Sequence, residues 1–537
     1  TAALISLGLF AFSPNMLAFG AIVSTDLSIT VTLFAAVWCI WRLLHEITWG
    51  RLAASLGWIG LLLLAKLTAL VIIPITAVLL VVRFTVGPPL LVRWRSRSYP
   101  VTRRHTQTAI ICGLIGLHIA AGWTAIWAHY GFRFPASPDP GNTDIRFREI
   151  TFPDGMSGAA EQFIGWSTRV RFLPEGFCRG VESLMGDDDQ LPAYMRGKWK
   201  HGGWRSFFPY TIWVKTQPTL FVLLALGGFL WWQARRRVQP ASERAAPPLY
   251  AATPHLALIV VYLTVAAAGD INLGHRHVLP IYPSLYIIAG AVAIGWRRRA
   301  MWGRIAIGVL LGWRVVDSLQ ARPNYLAYFG PQAGGSEEGH KHLVDSSLDW
   351  GMNLPALKRW LDRHNPGNRE PVFLAYFGTD SPEYYGIKSQ RLPGFIDRRP
   401  KTTYALTPGY YIISATLYRG VYSAAFGPWN PVYERVYRLA LKSVVRFAST
   451  NDPAGRAALL RQAPLAFWEN EYEVYDHFRF GRLCAWLRQQ GDPPHQVGHA
   501  IFIWKLTLED LHAAVVGPPV EMKAGPPAPR RMVPAAP

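Results

Sequence analysis

The chain has 537 residues, half of them hydrophobic, and a formal charge of +21 at pH 7. That apolar content with an arginine excess argues against an ordinary soluble enzyme and leaves a membrane protein with basic loops or a nucleic-acid binder. The arginines gather at the ends of apolar runs (Arg93, Arg95, Arg97, Arg103 and Arg104; Arg235 to Arg237; Arg297 to Arg299) and are not spread over one soluble face, which argues against nucleic acid.

Spanning helices need about 20 apolar residues. The sequence predicts them at 1–19, 27–44, 52–66, 67–84, 108–130, 209–233, 254–269, 278–296 and 301–317. That is about nine, with Pro14, Pro74 and Pro283 interrupting three of the runs. The run that opens at Thr1 lacks an initiator methionine, a basic n-region and a cleavage site, so it does not read as a signal peptide; the chain is expected to lack its true N-terminus. Arg42 and Arg51, the 83–104 arginine block, Arg235 to Arg237, and Arg297 to Arg304 fall in alternate connections, which the positive-inside rule makes cytoplasmic. The Ser24–Asp26 turn, the 131–208 loop, the 270–277 loop and everything after about residue 318 then face outside.

The 131–208 loop is too long for a simple connector. Its piece "YMRGKWKHGGWRSFF" (194–208) mixes basic and aromatic residues as interfacial segments do, and a headgroup anchor is the plain reading. From residue 318 the composition becomes soluble. "PVFLAYFG" (371–378), "GYYIISAT" (409–416) and "HAIFIWKL" (499–506) read as strands and 353–364 as a helix, predicting an α/β domain over 318–516. The Pro/Ala/basic tail 517–537 has a disordered composition. Cys39 and Cys112 fall inside apolar runs; a Cys178–Cys484 disulfide stays open if both face an oxidising compartment.

Few side chains in the apolar part can carry chemistry. Asp26 opens an apolar helix, as a carboxylate favouring the N-terminus or as one that orients a polar substrate or metal. Lys66 separates two apolar halves, and Lys215 lies just inside an outer boundary beside Thr216 and Pro218, which suggest a locally open helix. Each lysine either snorkels or holds a lipid-linked phosphate. In "DINLGHRHVLPIYP" (270–283), His275 and His277 form a metal pair only with a third ligand such as Asp270, and Arg276 suits a phosphate or carboxylate. The acidic run Asp187 to Asp189 reads as a solvated loop, with calcium or substrate as the alternative. Asp345, Asp349 and Trp350 in "DSSLDWG" either contact a ligand or close a strand-end turn. Walker, Rossmann, G-x-S-x-G and H-E-x-x-H motifs are absent, and so is any zinc spacing.

Taken in order, "FSPNMLAFGAIVSTDLSIT" (12–30), "LLAKLTALVIIP" (63–74), "YMRGKWKHGGWRSFFPYTIWVKTQP" (194–218), "GHRHVLPIYP" (274–283), "PNYLAYFGPQAGG" (323–335) and "LVDSSLDWGMNL" (343–354) resemble the dolichyl-phosphate-mannose protein mannosyltransferase-like glycosyltransferases of the GT-C superfamily, in particular bacterial members. The resemblance implies a polytopic α-helical GT-C-like bundle over 1–317, a C-terminal extracytoplasmic α/β domain, and residence in the cell (inner) membrane. It implies a polyprenyl-phosphate-linked sugar donor and a protein, lipid or glycan acceptor, with no confident cofactor beyond an optional divalent metal and no nucleic acid. The family's usual catalytic aspartate lies in a first extracytoplasmic loop that this chain is expected not to contain. Asp26 matches a second acidic position with an auxiliary role. Arg276 and His277 match an Arg-His before Leu-Pro, and Lys215 a lysine before a Pro-containing helix; with Lys66 these become candidate donor-phosphate contacts. Asp345 and Asp349 become candidate acceptor contacts. The rival readings are a transporter or flippase of lipid-linked sugars and a non-catalytic membrane scaffold with a binding ectodomain.

Overall fold

The computed structural model describes residues 1–95, 97–137, 158–185, 191–237, 249–269, 271–296, 299–395, 405–519 and 521–522. Asp187 to Asp189, Asp270, Arg297, Arg298 and most of the 517–537 tail lie outside the described residues. The chain divides into two compact units, one of Thr1–Leu191 and Trp204–Tyr325, the other of Pro192–Gly203 and Leu326–Pro537.

The first unit is built from helices. α1 (Ala2–Ala11) and α2 (Pro14–Ala21) meet at 58°, where the Ser13 hydroxyl accepts the Met16 N–H and Pro14, lacking an N–H, takes the first helical position. α3 (Thr25–Leu43) starts after Ser24 and carries Asp26 in its first turn. β1 (Glu46–Ile47) leads into α4 (Trp49–Ala65), capped by Thr48. After a 3₁₀ turn at Leu67–Val71 come α5 (Ile72–Val86), β2 (Leu90–Trp94), β3 (Arg97–Val101) and α6 (Arg104–His129). β2 and β3 form a hairpin inside the 83–104 arginine block, which sequence left as a bare connection, and β1, from the connection between α3 and α4, adds a third strand in parallel with β2. α7 (Gly158–Arg169), α8 (Glu175–Met185), α9 (Phe207–Lys215), α10 (Pro218–Arg237), α11 (Thr253–Ala268), α12 (Tyr282–Ala289) and α13 (Met301–Gln320) complete the unit. α3 packs on α4, α4 on α6, α5 on α11, and α10 on α12 and the 3₁₀ turn Gly290–Ala293. A Cβ at Gly227 of α10 would sit 3.2 Å from the Ile288 carbonyl oxygen, so glycine permits that close approach.

Among the described residues four helices are long and apolar enough to cross a membrane: α3, Leu67–Val86, α6 and Tyr250–Ala268. The count reaches six if α1 with α2, and α9 with α10, each make one bent span. This corrects the nine expected spans, and the reasons are local. α4 has only 17 residues. The 278–296 run splits at Pro280 and Pro283 into a 3₁₀ turn, His275–Ile281, then α12 and another 3₁₀ turn. α13 carries Arg304, Arg314 and Asp317 along its length.

The second unit contains a five-stranded sheet ordered β7-β6-β8-β10-β9: β6 (Val372–Ala375), β7 (Gln390–Arg391), β8 (Gly409–Ser414), β9 (His495–Val497) and β10 (Ile501–Leu506). β6 pairs in parallel with β7 and β8, and β10 runs antiparallel to β8 and β9. Every residue of β6 and β8 is buried, which is why they read as continuous apolar runs. The helix Leu354–His364 lays Leu357, Trp360 and Leu361 on Leu374, Ile412 and Ile503. The long helices Pro431–Ser449 and Leu465–Leu487 enclose a separate core around Trp429, Tyr437 and Phe478. The first part of the 194–208 segment forms a hairpin of this unit, β4 (Pro192–Met195) with β5 (Lys198–His201), while its residues from Trp204 onward belong to the first unit. In the hairpin the Arg196 N–H donates to the His342 carbonyl (3.0 Å), the Tyr194 hydroxyl to the Lys341 carbonyl (3.3 Å), and the Trp199 indole N–H to the Arg419 carbonyl (2.6 Å). Cys178 and Cys484 are both buried free thiols, so the disulfide left open by sequence is not formed.

Candidate functional site

Asp26 is nearly inaccessible, at 2 % exposure, in the first turn of α3. Its carboxylate accepts from Lys66 Nζ at 2.7 Å. Lys66 can reach it because the chain breaks there: Lys66 is extended (φ −168°, ψ 147°) between α4 and the 3₁₀ turn, so the ammonium leaves the helical path. The buried carboxylate and the ammonium thus form an ion pair in which each has a partner of opposite sign. Tyr262 of α11 lies within electrostatic reach of Asp26.

The 3₁₀ turn His275–Ile281 packs against α2, α3, α9 and α11, which brings the opening of α3 and the Arg-His pair into one region of the unit. His277 is half-buried, within electrostatic reach of Arg276 and Lys66, with its ring 6.4 Å from that of Phe208. Burial first, and then the Arg276 and Lys66 charges, hold His277 well below the usual histidine range, so it is a neutral imidazole at pH 7. Among the described residues its Nε2 is a buried atom with no hydrogen-bond partner. Four of the sequence candidates, Asp26, Lys66, Arg276 and His277, therefore belong to one cluster.

Lys215 is a neighbouring case. It ends α9, is 1 % exposed, and its carbonyl accepts from Asn15 Nδ2 at 2.8 Å. The helix breaks immediately after it: Thr216 is extended and α10 departs at 102°. Lys215 faces His275, not Asp26. His275 is fully buried, with Nδ1 3.3 Å from Thr211 Oγ1 and Nε2 2.9 Å from the Tyr282 hydroxyl, which is itself 2.5 Å from Thr216 Oγ1. Both ring nitrogens are occupied, so His275 is no ready metal ligand, and Asp270 lies outside the described residues. Among the described residues no group of three or more His, Cys, Asp or Glu side chains could hold a metal ion.

Asp345 and Asp349 form a second cluster, within the other unit. Asp345 adopts φ +58° at the start of a 3₁₀ turn, donates its N–H to Thr416 Oγ1 (3.0 Å), and accepts from the Tyr422 hydroxyl (2.6 Å). Asp349 is fully buried; its Oδ1 accepts from the Gly351 N–H (2.9 Å) and Asn353 Nδ2 (3.5 Å). Its Oδ2 has no hydrogen-bond partner among the described residues. Burial pushes the Asp349 carboxyl up to about 7, against the pull of the Gly351 and Trp350 N–H groups, and the Asp345 charge adds to the rise. Tyr376 donates to the Gly351 carbonyl and closes the turn.

Sequence reasoning named the charged members of both clusters but not the tyrosines Tyr262, Tyr282, Tyr376 and Tyr422, which come from distant elements with no spacing signal. Comparison with protein-family models, with curated proteins and with solved structures gives no match to this chain.

Proposed function

We propose that this chain is an integral membrane glycosyltransferase that moves a sugar from a polyprenyl-phosphate donor to an extracytoplasmic protein, lipid or glycan acceptor. The observation that carries the reading is the Asp26–Lys66 pair with Arg276 and His277 beside it, at the opening of an apolar helix long enough to span a membrane. Breaking the bond between the sugar and its phosphate leaves negative charge on the phosphate oxygen, and the Lys66 and Arg276 cations stabilise it. Asp26 aims Lys66 through their ion pair, an auxiliary role. His277, neutral with a buried Nε2, can hydrogen-bond a hydroxyl without competing for the phosphate.

In this reading the protein is a multi-pass protein of the inner cell membrane, oriented by its arginine-rich connections. The Asp26 end and the second unit face outside, where Asp345 contacts the acceptor and the buried Asp349, whose N–H donates to the Asp345 carbonyl, supports its turn. The test is transfer of labelled hexose from polyprenyl-phosphate donors by the full-length protein in lipid nanodiscs. Transfer or donor hydrolysis that falls in Asp26→Asn and Arg276→Gln supports the reading; no turnover of any such donor sinks it.

A further inference from the structure

The other end of α3 carries a different constellation. Where α3 hands over to β1 and α4, a cleft of about 420 Å³ opens, lined by Arg42, Arg51 and Arg93 with a single carboxylate, Glu46, and with Cys39 and Ala54 on its apolar wall. The three guanidinium groups come from three elements: Arg42 from the last turn of α3, Arg51 from α4 and Arg93 from β2. Arg51 serves the frame. It donates to the carbonyls of Arg42 (3.2 Å) and Glu46 (3.3 Å) and pairs with the Glu46 carboxylate at 2.6 Å. Glu46 is thereby committed, and reaches Arg93 only at 3.9 Å. Arg42 is exposed and has no carboxylate partner among the described residues. Three cations against one committed anion leave the cleft in want of negative charge.

We propose that this cleft is a phosphate-ester site that seats the head group of an acidic membrane lipid. Guanidinium groups bind phosphate oxygens in pairs, and Arg42 and Arg93 are the two with donors to spare. The lipid source is favoured by the walls. α3 is apolar enough to span a membrane, and Trp38, one turn before Arg42 on the same face, and Trp49, at the start of α4, are both exposed. Exposed tryptophans beside arginines mark the headgroup level of a bilayer, so acyl chains can run along the helices while the phosphate enters the cleft. The site lies at the opposite end of α3 from Asp26 and is independent of the transferase reading.

The experiment is native mass spectrometry of the full-length protein, released from nanodiscs of mixed phosphatidylglycerol and phosphatidylcholine, comparing wild type with Arg42→Gln/Arg93→Gln. Retention of phosphatidylglycerol should fall about fivefold for each arginine removed. The control Arg95→Gln/Arg97→Gln, which removes two exposed arginines of the same hairpin outside the cleft, should retain it as wild type does. A second arm offers glycerol 3-phosphate to the protein in neutral detergent. Binding there that is lost with Arg42 and Arg93 keeps the phosphate site but assigns it a soluble ligand. Equal losses in the control, or no loss in the cleft variant, would overturn the proposal. Thermal unfolding of each variant excludes misfolding as the cause of a loss, and Arg42→Lys/Arg93→Lys should restore part of the retention.

Discussion

Lys66 Nζ stands 2.7 Å from Asp26 Oδ1, tying the break after α4 to the first turn of α3. Asp26 is buried while Lys66 remains 24 % exposed, so the two ions are unequal partners. Removing the lysine leaves a buried carboxylate uncompensated. Removing the carboxylate charge leaves an ammonium that water can still reach.

Lys66→Met should therefore destabilise more than Asp26→Asn. A buried ion that loses its partner costs roughly 3–5 kcal/mol, and the partial exposure of Lys66 brings the expected loss to about 2 kcal/mol. The double variant should recover much of it. Unfolding of the full-length protein in mild detergent, run as a double-mutant cycle, checks this; additive effects would mean the pair is not coupled.

Arg276→Gln should lower donor turnover by about tenfold or more, as loss of a group that stabilises transition-state charge does. Its unfolding midpoint should stay near wild type, since the residue is half-exposed. Steady-state kinetics on a polyprenyl-phosphate hexose decides the matter, and unchanged turnover would remove Arg276 from the site.

Asp349 should make the turn at 345–353 pH-sensitive. Its folded carboxyl is raised to about 7 from an ordinary value of 3.8, so between these values the folded state holds a proton that the unfolded state releases. The contribution is fully present below about pH 4 and is lost as pH rises toward 7, at a limiting slope of about 1.4 kcal/mol per pH unit. Hydrogen-exchange protection of residues 345–353, corrected for intrinsic rates, should fall over that window and become flat in Asp349→Asn.

The four thiols give a chemical test. Cys39, Cys112, Cys178 and Cys484 are all free, and Cys178 and Cys484 are buried. Alkylation under non-reducing conditions should modify Cys178 and Cys484 only after unfolding, and the mass should then show four adducts. A protected pair after unfolding would reveal a disulfide.

In the second unit, Leu357→Ala should cost roughly 2–5 kcal/mol, because Leu357 is wholly buried against the sheet. Lys358→Ala, which removes only an exposed pair with Asp362, should change stability by under about 1 kcal/mol. Chemical denaturation followed by a probe in this unit distinguishes the two.

The strands β6 and β8 were legible because burial on both faces writes them as continuous apolar runs, β10 because it opens with the buried apolar run Ile501–Trp504 before the exposed Lys505, and the helix at 354–364 because only one face is apolar. Span number was less legible. Hydropathy sums over Pro280, Pro283 and the Thr216 break without registering that the helix stops there. The helices Pro431–Ser449 and Leu465–Leu487 are a larger omission. Tyr433, Tyr437, Ala440 and Val444 recur at helical spacing in the first, but buried Asp476, Arg479 and Arg482 interrupt the apolar stripe of the second. At the site, Asp26 and Lys66 stand out singly as charges in apolar surroundings, yet nothing in a sequence separation of 40 announces that they touch.

The hairpin at 192–203 makes the second unit discontinuous: part of it is synthesised before α9 to α13 and the rest after them. A fragment beginning at residue 326 would leave the carbonyls of Lys341, His342 and Arg419 without their donors and strip the cover from their surroundings. Anyone dissecting this protein should therefore supply residues 192–203 as a tethered or added peptide. The ribosome faces the same constraint, since the early hairpin must wait for most of the chain before its partners exist.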